Sequence, residues 1–221
     1  MTTSEADARP DTSDMLVVHD AFRREFGMLP RLVRGVAPGD AERASVLAEH
    51  YALLVLFLHI HHDGEDVVLW PVLEEKAADR AAVIAEMQSD HGRLSELIAA
   101  TDARVPAWAS TPDAVAGESL AVLLDELDAH LEQHLAHEER EILPLCRERL
   151  TPAEWDAVGE HSRSELPQEH AFTILGMLLE DAPPRAGRHM LDVMAPPVVD
   201  QWSQVGSSAY GAYTARVRAT G

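Results

Sequence analysis

At 221 residues and 46% hydrophobic, the chain is long enough to bury a core, and its 38 acidic against 18 basic residues give a formal net charge of −20. That charge repels phosphate backbones and anionic membrane surfaces, so neither nucleic acid nor membrane is an expected partner. The single cysteine, Cys146, excludes an intramolecular disulfide and any cysteine-rich zinc or iron–sulfur site, so a bound metal would need nitrogen and oxygen ligands. The opening residues are polar and acidic, unlike a secretory signal, and no run of about 18 apolar residues follows. A cytoplasmic location is the expectation.

Residues 1–13 are expected to form a mobile tail, with Thr12, Ser13 or Asp14 as the N-cap of a first helix that runs to about Val33. Its apolar positions Met15, Phe22, Phe26 and Leu29 recur on the same face as His19. After a break at Ala37-Pro38-Gly39-Asp40, a long second helix carries Leu47, Leu54, Leu58, His61, Glu65 and Leu69 in one stripe, with Pro71 near its far end. A third helix over roughly 78–100 presents Ile84, Met87, His91, Leu94 and Ile98. A loop around 104–111 then leads to a fourth, with Leu120, Leu124, Leu127, Leu131, His134, Glu138 and Ile142 on its inner face. No sustained period-two alternation signals a strand. The fold predicted is all-α, an up-down-up-down four-helix bundle over residues 14–148.

Thr151-Pro152-Ala153-Glu154 combines a capping box with proline at the first helical position and starts a fifth helix. Amphipathic pieces follow over about 167–180, 184–194 and 197–218. Residues 149–221 therefore form a C-terminal helical extension that packs on the bundle or forms a homodimer surface. No chemical motif occurs within it.

The chemistry lies in an internal repeat. His61, Glu65 and Pro71 recur as His134, Glu138 and Pro144, each pair 73 positions apart. His19 lies 42 residues before His61, and His91 lies 43 before His134. Residues four apart on a helix are separated by only about 6 Å along the axis and share a face, so each His–Glu pair can approach one cation. Both pairs sit inside apolar stripes, where a lone carboxylate would cost several kcal/mol and coordination removes the penalty. One such pair is commonplace on helices; two in phase, each with an upstream histidine, point to a paired metal site. The competing pairs His62 with Asp66 and His137 with Glu141 are not duplicated, since their counterparts are Leu135 with Glu139 and Gly64 with Val68. His62, His137, His130 and His59 are accordingly read as supporting or surface residues. His50 lies about three turns from His61, too far to share its metal. His170 is kept as a candidate extra ligand.

This duplicated pattern resembles the hemerythrin-like (HHE cation-binding) family over residues 14–148. The resemblance implies a four-helix bundle with a non-haem di-iron centre. In it His19 and His61 would serve one iron, His91 and His134 the other, and Glu65 and Glu138 would bridge them. Oxygen-carrying members have one more histidine where this chain has Ser95, and an aspartate one residue beyond the position of Glu138. The first departure points away from reversible oxygen transport; the glutamate of the second is shared by many bacterial relatives. Nitrogen and carboxylate ligands suit zinc or manganese as well as iron, so iron follows from the resemblance alone. The functions it implies are binding or sensing of oxygen, nitric oxide or iron; decomposition of hydrogen peroxide; and iron storage or delivery. A metal-free helical interaction module is the remaining reading.

Overall fold

The computed structural model describes residues 9–219, so the greater part of the expected N-terminal tail lies outside the described residues. Every regular element among them is helical. Helix α1 spans Ser13–Arg34. Thr12, one of the three expected caps, is its N-cap residue but makes no side-chain cap hydrogen bond: its Oγ1 accepts from Arg147 at 3.1 Å, while Asp11 Oδ1 accepts from Ser13 N at 3.2 Å. The second helix begins as α2, Ala41–Gly64, capped by Asp40, whose side chain accepts from Arg43 N. It passes without a break through a π turn, Glu65–Leu69, into α3, Trp70–Lys76. By length and composition this continuous helix could cross a membrane, but 61% of its apolar window is buried inside the protein. It packs as a core helix.

Helix α4 spans Ala81–Asp102 after a single 3₁₀ turn, Ala78–Arg80. The segment expected as loop holds a short helix, α5, Val105–Ser110, because Trp108 buries its ring against the core. Asp113 then caps α6, Ala114–Arg149, which at 36 residues equals the continuous second helix in length, by accepting from Val115 N and Ala116 N.

Two large apolar cores result, beside a small cluster of Val17, Ala186 and Met190, and each long helix crosses from one large core to the other. Helix α1 leaves one core at Met15 and enters the second at Phe22; α4 does the same between Met87 and Leu94. Helices α2–α3 and α6 run the opposite way, from Leu58 to Leu69 and from Leu135 to Ile142. The boundary between the cores falls on the histidines and glutamates of the repeat.

The extension consists of α7, Pro152–Glu165, α8, Gln168–Glu180, α9, Pro184–Asp192, and a last stretch built from α10, Pro196–Gln201, a π turn, Trp202–Gly206, and α11, Ser207–Val217. The Thr151–Glu154 capping box forms as expected at the start of α7. The extension packs on its own chain, with α7 against α2 and its π turn, α8 and α9 against α1, and α11 against α2 and α8. Close approach needs glycine: a Cβ on Gly64 would stand 2.6 Å from Ser162 Oγ, and one on Gly176 would collide with the Tyr210 ring. A polar network ties the end of the chain down. Glu25 of α1 accepts from Arg24 at 2.8 Å and Arg218 at 2.9 Å, and His50 Nδ1 meets the Tyr213 hydroxyl at 2.7 Å. His50 thus belongs to this network and not to the histidine layer.

Candidate metal centre

Seven side chains meet at the boundary between the two cores. His19 comes from α1, His61 and His62 from α2, Glu65 from the first residue of the π turn, His91 from α4, and His134 and Glu138 from α6. All are buried, with Glu65, Glu138 and His19 at 0% exposure. They point inward because each occupies a position one helical turn from buried apolar residues: Met15 and Phe22 flank His19, Met87 and Leu94 flank His91, and Leu131 and Ile142 flank the His134–Glu138 pair.

The donor atoms fall into two groups, each with its atoms within 4.8 Å of one another. One joins His19, His61, Glu65 and Glu138; the other joins His62, Glu65, His91 and His134. Glu65 is common to both. Its Oε1 lies 3.1 Å from His61 Nε2 and its Oε2 lies 3.1 Å from His91 Nε2, so one carboxylate spans the two groups. Glu138 Oε2 stands 3.2 Å from His19 Nε2. These approaches lack hydrogen-bond geometry. Both oxygens of Glu65 and of Glu138, both ring nitrogens of His134, and Nε2 of His19, His61, His62 and His91 are buried without a hydrogen-bond partner. Buried polar groups are almost always paired, and an orphan costs about 1–3 kcal/mol. Each residue of the two groups offers such an atom, and donors clustered in this way fit cations, which accept lone pairs from imidazole and carboxylate together.

The far sides of two rings are held by carboxylates. His19 Nδ1 lies 2.8 Å from Glu139 Oε1, which also accepts from Arg23 at 2.7 Å. His91 Nδ1 lies 2.9 Å from Asp66 Oδ1, which also accepts from Trp70 Nε1 at 2.9 Å. Such contacts fix ring orientation and direct the other nitrogen toward a ligand. The rings of His62 and His91 stack with centroids 4.0 Å apart.

Without a cation, burial opposes charging of His19 and His91, but Glu138 and Glu139 beside the first, and Glu65 and Asp66 beside the second, outweigh it and raise both to about 9. Burial, reinforced by neighbouring histidines, holds His61 and His62 well below the usual imidazole range, and burial likewise lowers His134. Burial and the nearby Glu138 push Glu65 up, whereas His19 holds Glu138 down against its own burial. Three imidazoles are therefore neutral near pH 7, the form that offers a lone pair to a metal.

All six residues singled out from the repeat are brought together, with His19 beside His61 in one group and His91 beside His134 in the other. Two features differ from the sequence expectation. Only Glu65 belongs to both groups, while Glu138 belongs to the first. His62, set aside because its counterpart is Leu135, is buried and belongs to the second group. The available signal was its spacing: His62 precedes Glu65 by three residues and shares its face as well as His61 does. Leu135, its counterpart, is buried as well, so the position faces inward in both copies and only the first fills it with a donor. His59, His130, His137, His161, His170 and His189 belong to neither group.

An opening reaches the layer from the side of His62 and His91. A cavity of about 410 Å³ is lined there by polar groups including His59, Asp63, Asp66 and Ser95. Ser95 turns its hydroxyl back to donate to the His91 carbonyl at 2.9 Å and leaves the space open.

Comparison with known proteins agrees with this geometry. The model of the hemerythrin HHE cation binding domain matches residues 11–146, a stretch that holds every residue of the two groups. No curated protein and no solved structure matches the chain. With more than half its length matched, the chain belongs to the hemerythrin HHE cation-binding domain family.

Proposed function

We propose that the protein is a non-haem di-iron protein that binds or senses a small ligand such as oxygen or nitric oxide. The observation that carries the reading is the pair of groups of orphaned donor atoms sharing Glu65. His19, His61 and Glu138 would hold one iron, His62, His91 and His134 the other, and Glu65 both. The alternating direction in which the long helices cross the two cores supports an up-down-up-down four-helix bundle around them. Iron, when bound, supplies redox chemistry and open coordination positions. The chain's own part is to orient the imidazoles through Glu139 and Asp66, to exclude water with Leu58, Leu94, Leu131 and Ile142, and to admit small polar molecules past Ser95.

The polar opening also favours a second reading, peroxide decomposition, because ionisable groups line the approach to His62 and His91. One sample tests both. Protein from iron-replete cells is expected to contain about two irons per chain and to change its absorption spectrum reversibly between anaerobic and aerated or nitric-oxide-treated states. Rapid oxygen evolution from added peroxide, abolished in Glu65→Ala, would select the enzyme instead. Protein without iron, or with metal content unchanged in His134→Ala, would overturn the di-iron reading.

A further inference from the structure

His61 borders a cavity of different character. Between α1 and α2 on one side and α7, α8 and α9 on the other lies a space of about 440 Å³, within the range of about 300–1,000 Å³ that takes a small organic molecule. Its walls are apolar: Met15 and Phe57 from the bundle, Leu175, Met190 and Met194 from the extension, with Phe172 beside them. His61 lines the same space from its buried floor. Methionines and aromatic rings together form a wall that adapts to a flexible apolar guest.

The charged groups of the lining are Asp14, Asp156, Glu160, Arg163 and His189. Asp14 is turned to accept from Trp155 Nε1 at 3.2 Å, and Asp156 and Glu160 are exposed. Arg163, at the outer edge, makes no ion pair among the described residues of a chain in which acidic residues outnumber basic ones by 38 to 18. Its guanidinium lies across Gly159, where a Cβ would stand 2.9 Å from one of its nitrogens. An exposed planar cation at the edge of an apolar cavity matches a carboxylate on an apolar chain.

We infer that this cavity is a binding site for an apolar organic acid resembling a medium-chain fatty acid, with its chain against Met15, Phe57, Leu175 and Met190, its carboxylate at Arg163, and its far end toward His61. The inference stands on the cavity itself and does not require the metal. It would place an organic molecule beside His61, whereas the polar opening is lined by His62 and His91, with Ile60 common to both walls.

The test is calorimetric titration of the full-length protein with dodecanoate, dodecanol and dodecyltrimethylammonium. Saturable binding of one dodecanoate per chain is expected, about two- to fivefold tighter than dodecanol, the range of one exposed ion pair. Arg163→Gln should remove that difference, and Leu175→Trp should abolish binding of both. Met194→Trp, at a partly exposed position, serves as a second blocking variant if the Leu175 change unfolds the protein. Absence of dodecanoate binding, unchanged binding in a folded blocking variant, or tighter binding of the cationic chain would overturn the inference. Metal analysis of the same sample separates the two readings. Iron-free protein that binds dodecanoate overturns the di-iron centre alone, and iron-containing protein that does not bind it overturns this site alone.

Discussion

Replacing Glu65 by leucine should change stability in opposite directions with and without metal. In the metal-free protein both Glu65 oxygens are buried and orphaned, at 0% exposure, and burial together with Glu138 disfavours the charge. Leucine removes two unsatisfied atoms and adds apolar surface at the junction of the two cores. Orphaned groups cost about 1–3 kcal/mol, and replacing buried ionic groups by apolar ones commonly gains about 1–4 kcal/mol. A net gain of about 2 kcal/mol is expected, which for a chain of this size raises Tm by about 4–8 °C. In the metal-loaded protein the same change removes the one side chain shared by both groups. A cation at about 1,000 times its Kd stabilises the folded state by about 4 kcal/mol, so losing it should outweigh the gain. Thermal unfolding of wild type and Glu65→Leu, each with excess iron and with chelator, gives four melting temperatures. The variant should melt higher than wild type in chelator and lower in iron. A variant that melts lower than wild type in both would refute the view that Glu65 is kept for a cation at the expense of packing.

His62→Ala should reduce bound metal from about two per chain toward one, whereas the repeat taken alone predicts no change; metal analysis after desalting decides between them. Gly176→Ala should separate α11 from α8 by forcing the Tyr210 ring away, at a cost of about 1–3 kcal/mol in urea unfolding. Undiminished stability would mean that the last helix is not firmly seated. Glu180, paired with Arg218, is held down to about 2 against partial burial. A depressed carboxylate stabilises the fold above its unfolded value of about 4.5 and loses that contribution as pH falls toward about 2. Glu180→Gln should therefore lower Tm at pH 7 by the equivalent of about 1 kcal/mol, discounted for exposure, with the gap to wild type closing between those pH values. A gap that persists at pH 2 would assign the effect to packing.

Much of this organisation is legible in the chain itself. The helical period of the apolar stripes specifies four long helices, and histidines and glutamates embedded in those stripes must face inward wherever the helices pack. The repeat distance of 73 residues therefore nominates His61, Glu65, His134 and Glu138, and the matching upstream spacings add His19 and His91, because identical helices packed alike present identical positions. The same argument misjudges His62. Its counterpart Leu135 is buried as well, so both copies share the inward position and differ only in the side chain that fills it, which a search for repeated residue types does not find.

Local pattern also identified the Thr151 capping box, since its atoms lie within one turn. It missed α5, whose six residues hold their shape through the burial of Trp108. Composition and periodicity determine which faces must be covered, because burial of apolar surface has no direction and period alone marks the face. Which surfaces cover one another depends on close approaches between residues far apart in sequence, such as Gly64 with Ser162 and Gly176 with Tyr210. Only the tertiary structure decides that the extension closes over α1 and α2, that Glu65 spans both groups of donors, and that an apolar cavity is left against His61.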